Sequence, residues 1–165
     1  VAVKPWLWLA LGAIAAAPAI AGDNYATERN AVTLSPAQTQ FILRCGGCHG
    51  TLGVSPPRSV PSLRGVAGWF LCTPEGREYV IRLPNVSRAQ FDDATLAQVM
   101  NFVTFDLGER SAPPAAARFT QAEVAAIRAR PLNALPLRQF RRKVVTGLVR
   151  RCHAPASMLD YDRRG

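Results

Sequence analysis

Hydrophobic and polar positions alternate with a helical period in three stretches of the chain. The first lies before Cys45: Ser35 is a good cap, Pro36 suits the first helical position, and Phe41, Ile42 and Leu43 follow, so a helix is predicted that runs directly into Cys45. The second starts at Asp92 or Asp93 and runs to about Phe105. Leu96, Val99, Met100 and Val103 recur there at i, i+3, i+4 and i+7, which places them on a single stripe. The third runs from Gln121 to about Arg130, opened by the Thr120/Glu123 capping box and ended by Pro131.

The intervening segments are less regular. Residues 46–76 are rich in Gly and Pro and read as ordered loop, and Gly108 to Arg118, with Pro113-Pro114 and three alanines, reads as an exposed connection. Glu78 to Leu83 fits a short strand or a turn of helix equally well. No internal repeat is present. The pattern predicts an all-α fold of three or more helices, with a patterned core over 35–132, a polar lead-in over 22–34 and a basic, weakly patterned, flexible tail over 133–165.

The first 21 residues read as an export signal. Lys4 is its basic end, Trp6 to Ala17 its apolar stretch, and Ala19-Ile20-Ala21 a small-x-small processing site, with cleavage expected after Ala21. An uncleaved anchor is the alternative, but Pro18 breaks a stretch already short of the ~20 residues of a membrane span. No later run is apolar enough to span, so no stable membrane span is expected after cleavage, and the localisation expected is periplasmic.

Charge refines the picture. The net charge is +9, yet residues 138–165 hold eight Lys or Arg against two Asp, and residues 22–137 carry only +2. The basic character therefore belongs to the end of the chain. The body has no basic stripe interleaved with aromatics, which argues against nucleic acid as a partner. The basic end could steer an acidic redox partner or be an extension with no role.

The candidate chemistry is Arg44-Cys45-Gly46-Gly47-Cys48-His49-Gly50, which contains Cys-x-x-Cys-His, the signature of covalent haem attachment. Two cysteines three apart on a turn after a helix can form thioethers with the two vinyl groups on one porphyrin edge, and the next residue can ligate the iron through its imidazole. Gly46 and Gly47 are expected to keep the enclosed backbone free of bulk and to allow dihedrals that β-branched residues resist. Competing readings are weaker. A redox dithiol is expected beside a strand-helix-strand pattern, and a zinc site needs a second close pair that Cys72, Cys152 and His153 do not make except at the tail. The chain has four Cys and two His, and three of these six fall within five residues.

The order of helix, Cys-x-x-Cys-His-Gly, Pro61-Ser62-Leu63-Arg64-Gly65 and an acidic-capped helix ending Met100-Asn101-Phe102-Val103 resembles a small class I, mono-haem c-type cytochrome over about residues 36–106. The resemblance implies a cytochrome c-like fold around one haem c, held by Cys45, Cys48 and His49, with His49 as proximal iron ligand. It further implies that the Pro61 carbonyl accepts the other imidazole N–H, which fixes the ring and raises its basicity.

The sequence departs from the family at the distal ligand. Class I cytochromes usually place a methionine in the loop before the last core helix, but residues 74–91 contain neither Met nor His. Met100 is the candidate distal metal ligand in the patterned core, on a stripe where a packing methionine would also sit. His153 and Met158, both in the tail, are the other familiar donors. An open sixth position stays in play.

Cys72 and Cys152 are left over, either as a disulfide tying the tail to the core or as separate residues, with Cys72 a buried small hydrophobe. Trp69 and Phe70 could wall a haem pocket, and Tyr79 with Arg77 and Arg82 could meet the propionates, although packing and solvated charge explain them as well.

The expected function is one-electron transfer in the periplasm between redox partner proteins, without enzymatic activity, since no residue set resembles a hydrolytic or group-transfer site. Gly76-Arg-Glu-Tyr-Val-x-x-Leu-Pro84 is similar to small cytochromes that accept electrons from periplasmic dehydrogenases. Two alternatives remain: a five-coordinate haem protein that binds a small ligand or has peroxidase-like activity, and a haem subunit docked to a periplasmic dehydrogenase. Four-helix cytochromes usually carry the motif near the carboxyl end, and its early position here speaks against them.

Overall fold

The structure is a computed structural model that describes Val1 and residues 33–56, 60–133 and 136–163. The expected export segment beyond Val1, its cleavage site, and residues 22–32 of the lead-in lie outside the described residues. Every regular element described is helical, with no strand among the described residues.

Helix α1 is Pro36–Arg44, capped by the Ser35 hydroxyl, which accepts from the Gln38 N–H at 3.1 Å. It buries Phe41 completely. After a loop, a 3-10 segment, Ala67–Cys72, leads into α2, Pro74–Arg82, capped by the Thr73 side chain. The undecided Glu78 to Leu83 stretch is therefore helix as far as Arg82, with Leu83 as its cap. Tyr79, Val80 and Ile81 are all buried, so the run is packed on more than one side, and tertiary contact rather than periodicity settles its conformation.

Helix α3, Asp93–Asn101, is capped by Asp92 and continues as a π-helical stretch, Phe102–Asp106. The Leu107 N–H reaches the Phe102 carbonyl at 3.0 Å, and the Thr104 hydroxyl back-bonds to the Met100 carbonyl at 2.8 Å. Helix α4, Gln121–Arg128, starts on the Thr120 hydroxyl as the capping residue predicts and stops two residues short of Arg130.

The basic end departs from expectation. Residues 137–152 are not a flexible tail: they form α5, Leu137–Cys152, the longest helix described, within the same compact unit, Leu34–Gly165, as the rest of the core. Val144, Val145 and Leu148 are buried in the main core beside Ile81, Leu96 and Val124. Phe70, Tyr79 and Phe140 stack in a row, with centroid separations of 5.5 and 5.9 Å, and so join the 3-10 segment, α2 and α5. The helix ends on His153 in a left-handed conformation (φ 56), after which Ala154 and Met158 turn back into the core.

Cys72 and Cys152 form a disulfide with Cα atoms 6.3 Å apart, the first of the two alternatives. Beside it Arg151 pairs with Glu75 at 3.2 Å. A smaller cluster of Phe41, Ala67, Val99, Val103 and Leu107 packs α1 onto the far part of α3, with Phe41 and Phe102 rings 5.5 Å apart. No helix among the described residues is long and apolar enough to cross a membrane.

Candidate functional site

Cys45 ends α1, its N–H accepted by the Phe41 carbonyl at 2.8 Å. A single helical turn, Gly46–His49, follows, in which the Cys48 and His49 N–H groups both return to the Cys45 carbonyl at 3.2 and 3.0 Å. The motif is thus wound into one turn, which brings Cys45, Cys48 and His49 close along the chain. The expectation for Gly46 and Gly47 needs correcting. Neither has a positive φ, and a Cβ on Gly47 would meet nothing within 4 Å. The glycine that the geometry demands is Gly50, at φ +69, where a Cβ would stand 2.5 Å from the Val54 carbonyl oxygen.

His49 is positioned by the loop that follows. Its Nδ1 lies 3.2 Å from the Pro61 carbonyl, the contact expected from the family resemblance. The Ser55 hydroxyl donates to that carbonyl at 3.2 Å and sits 3.4 Å from Nδ1. With Nδ1–H donating to Pro61, the other ring nitrogen, Nε2, is the one left to ligate a metal. Burial holds the imidazole below its ordinary pKa, the Pro61 carbonyl acting in the opposite sense, so at neutral pH the ring is in the uncharged form that ligation requires. The loop is braced by the Leu63 and Arg64 N–H groups on the Gly53 carbonyl, at 2.8 and 3.0 Å, and by an Arg64–Glu109 ion pair.

Cys45 and Cys48 are free thiols, the first half-buried and the second exposed. Burial raises the Cys45 thiol above its ordinary value and the neighbouring Cys48 adds to this. A redox-active dithiol instead needs a lowered thiol pKa, and burial acts on Cys45 in the opposite direction. The zinc reading loses two of its three further donors, because Cys72 and Cys152 are bonded to each other and leave only the exposed His153.

Cys45 and His49 open on a cavity of about 330 Å³, within the ~300–1,000 Å³ of ligand sites. Its walls are largely apolar and include Phe41, Leu96, Val99, Met100 and Val103, so the α3 stripe serves both as core and as cavity lining. Met100, 6% exposed, is therefore both packed and within the wall. A second cavity of about 410 Å³ shares Val60, Pro61 and Val66 with the first and is lined in addition by Met158. His153 is exposed and lines neither cavity. Of the two candidate wall aromatics, Phe70 lines the first cavity and Trp69 does not.

The residues suggested for propionate contact separate. Tyr79 lines the cavity, but Arg77 forks onto Glu123 at 2.5 and 2.8 Å and lies over the Phe119 ring at 4.0 Å. Arg82 donates to the Arg130 carbonyl at 2.7 Å and pairs with Glu78. The guanidiniums in the cavity wall are instead Arg138 and Arg141 of α5, which sequence reasoning missed because it left that segment without a fold.

Arg128 was also missed. It donates to the carbonyls of Ser87, Ala89 and Phe91 at 3.1, 2.9 and 2.9 Å and pairs with Asp93 at 2.9 Å. One α4 side chain thereby holds the loop before α3 against the cavity, the loop that lacks a methionine.

A scan against family models and searches of curated proteins and of solved structures returned no match. The donor set nevertheless fits a thioether-linked porphyrin: two free thiols, a neutral imidazole oriented through Nδ1, and an apolar cavity lined by Cys45 and His49, with Cys48 exposed one turn on and outside the lining.

Proposed function

We propose that the chain is a mono-haem c-type cytochrome of the class I kind, a periplasmic one-electron carrier. The observation that carries the reading is the His49–Pro61 contact at 3.2 Å, made by a ring that lines an apolar cavity next to a free thiol. Haem c, bound there, supplies a one-electron couple. The chain's own residues do the rest. Cys45 and Cys48 are the attachment thiols and His49 is the proximal ligand. Pro61 fixes the imidazole and raises its donor strength, and the apolar wall excludes water, which together set the potential. Met100 is the candidate distal ligand. The Cys72–Cys152 disulfide supports an oxidising compartment and so the exported, periplasmic localisation. The partners are other redox proteins, a periplasmic dehydrogenase among them.

A second reading draws on the loop over residues 84–91, which walls the cavity without offering Met or His. On that reading the sixth position is open and binds a small ligand.

The test is expression in cells competent for cytochrome maturation, followed by mass measurement and oxidised, reduced and alkaline-pyridine spectra. One thioether-linked haem per chain is expected, lost in Cys45→Ala/Cys48→Ala. A colourless product with the mass of bare polypeptide refutes the proposal. A thioether charge-transfer band that disappears in Met100→Ala assigns the distal ligand, and a high-spin ferric spectrum in the unmodified protein favours the open site.

A further inference from the structure

The C-terminal arm contributes a part of the cavity that the attachment motif does not use. Arg138, Arg141 and Tyr161 belong to the wall common to both cavities. Arg141 is only 7% exposed and donates Nη1 to the Met158 carbonyl at 2.9 Å. Both guanidiniums lie over the Tyr161 ring, each 5.2 Å from its centroid. Two cations held against one ring, one of them nearly removed from water, concentrate positive potential on that wall. A guanidinium is a planar fork whose geometry matches a carboxylate, and the match strengthens as water is excluded. The remaining charged or titratable groups of the two linings are Cys45, His49, Tyr79 and Asp160. Asp160 is the acidic one, so the arginines outnumber it on this wall.

We propose that Arg138 and Arg141 form a carboxylate-binding site, with Tyr161 holding both guanidiniums in position. Its ligands are the propionate groups of the haem, and to that extent the proposal rests on the haem reading above. The C-terminal arm is then a second wall of the haem site, fastened to the first by the Cys72–Cys152 disulfide.

The experiment uses holoprotein and compares Arg138→Gln and Arg141→Gln with Arg150→Gln, which removes the same charge from an exposed position on α5 outside both linings. Resonance Raman reports the propionate bending modes and redox titration the midpoint potential. The expected result is shifted propionate modes and a lowered potential in the first two variants, since a lost cation favours the ferric state, with Arg150→Gln unchanged. Variants at 138 and 141 that match Arg150→Gln in both measurements overturn the assignment. If Arg141→Gln loses its far-UV helicity, Arg138→Gln, at an exposed position, decides alone. A wild-type chain that carries no haem removes the haem reading and this proposal with it. A haem-bearing wild type with insensitive propionate modes removes the arginine site only.

Discussion

Breaking the bond between Cys72 and Cys152 tests how firmly the arm is held. The two residues are 80 apart in sequence, and closing a loop of that length lowers the entropy of the unfolded chain by the equivalent of ~4.5 kcal/mol at 25 °C. Measured values usually fall below this chain-entropy figure, at about 2–4 kcal/mol. The site favours the upper part of that range. The bond ends α5, and without it the docking of Val144, Val145 and Leu148 is left to packing and to polar contacts such as the exposed Arg151–Glu75 pair. For a unit of this size about 1 kcal/mol moves the melting temperature by roughly 4 °C, so Cys72→Ser/Cys152→Ser should melt about 12–16 °C lower than the parent.

Far-UV circular dichroism with and without reductant measures the difference. Reductant should lower the parent toward the variant and leave the variant unmoved. Alkylation of unfolded, unreduced protein should leave Cys72 and Cys152 unlabelled. Equal melting of parent and variant, or labelling of both cysteines before reduction, refutes the account of a fastened arm.

Other perturbations probe separate parts of the structure. Leu148→Ala, at a fully buried position, should cost about 2–5 kcal/mol in urea unfolding, and a cost below about 1 kcal/mol would mean that α5 is not part of the core. The Arg77 hydrogen bonds hold the Glu123 carboxyl below its ordinary pKa, so its contribution is present above the unfolded value of about 4.5 and fades as pH falls through the lower folded value. The Glu123 side chain is still 30% exposed, so solvent screening keeps the contribution to about 1 kcal/mol or less; Glu123→Gln should flatten the acid limb of stability against pH by that small amount, and an unchanged limb would contradict it. Given bound haem, Ser55→Ala removes a competing donor from the Pro61 carbonyl, strengthens its pull on the His49 N–H and should lower the midpoint potential in redox titration. A raised potential contradicts that reasoning.

What could be read in advance divides by physical range. The helices starting at Pro36, Asp93 and Gln121 announce themselves through caps and period, because a capping hydroxyl or carboxylate satisfies N–H groups only three residues away. Cys45, Cys48 and His49 are legible for the same reason: their spacing is the spacing of one turn. α5 also left a trace, since Leu137, Phe140, Val144 and Leu148 fall on one helical face, but the Arg and Lys residues between them obscured it.

The long-range facts were not available in this way. Whether Cys72 meets Cys152, whether Arg77 turns to Glu123 or to the cavity, and whether Arg138 and Arg141 lie in solvent or in the cavity wall all depend on how helices distant in sequence pack. A guanidinium reads the same in the chain wherever it ends up. The sequence by itself determined the helical class and the winding of Cys45, Cys48 and His49 into one turn, because hydrogen bonds between near neighbours decide both. Only the tertiary structure decided which side chains enclose the cavity, because burial and partner choice arise when separate apolar faces close on one another.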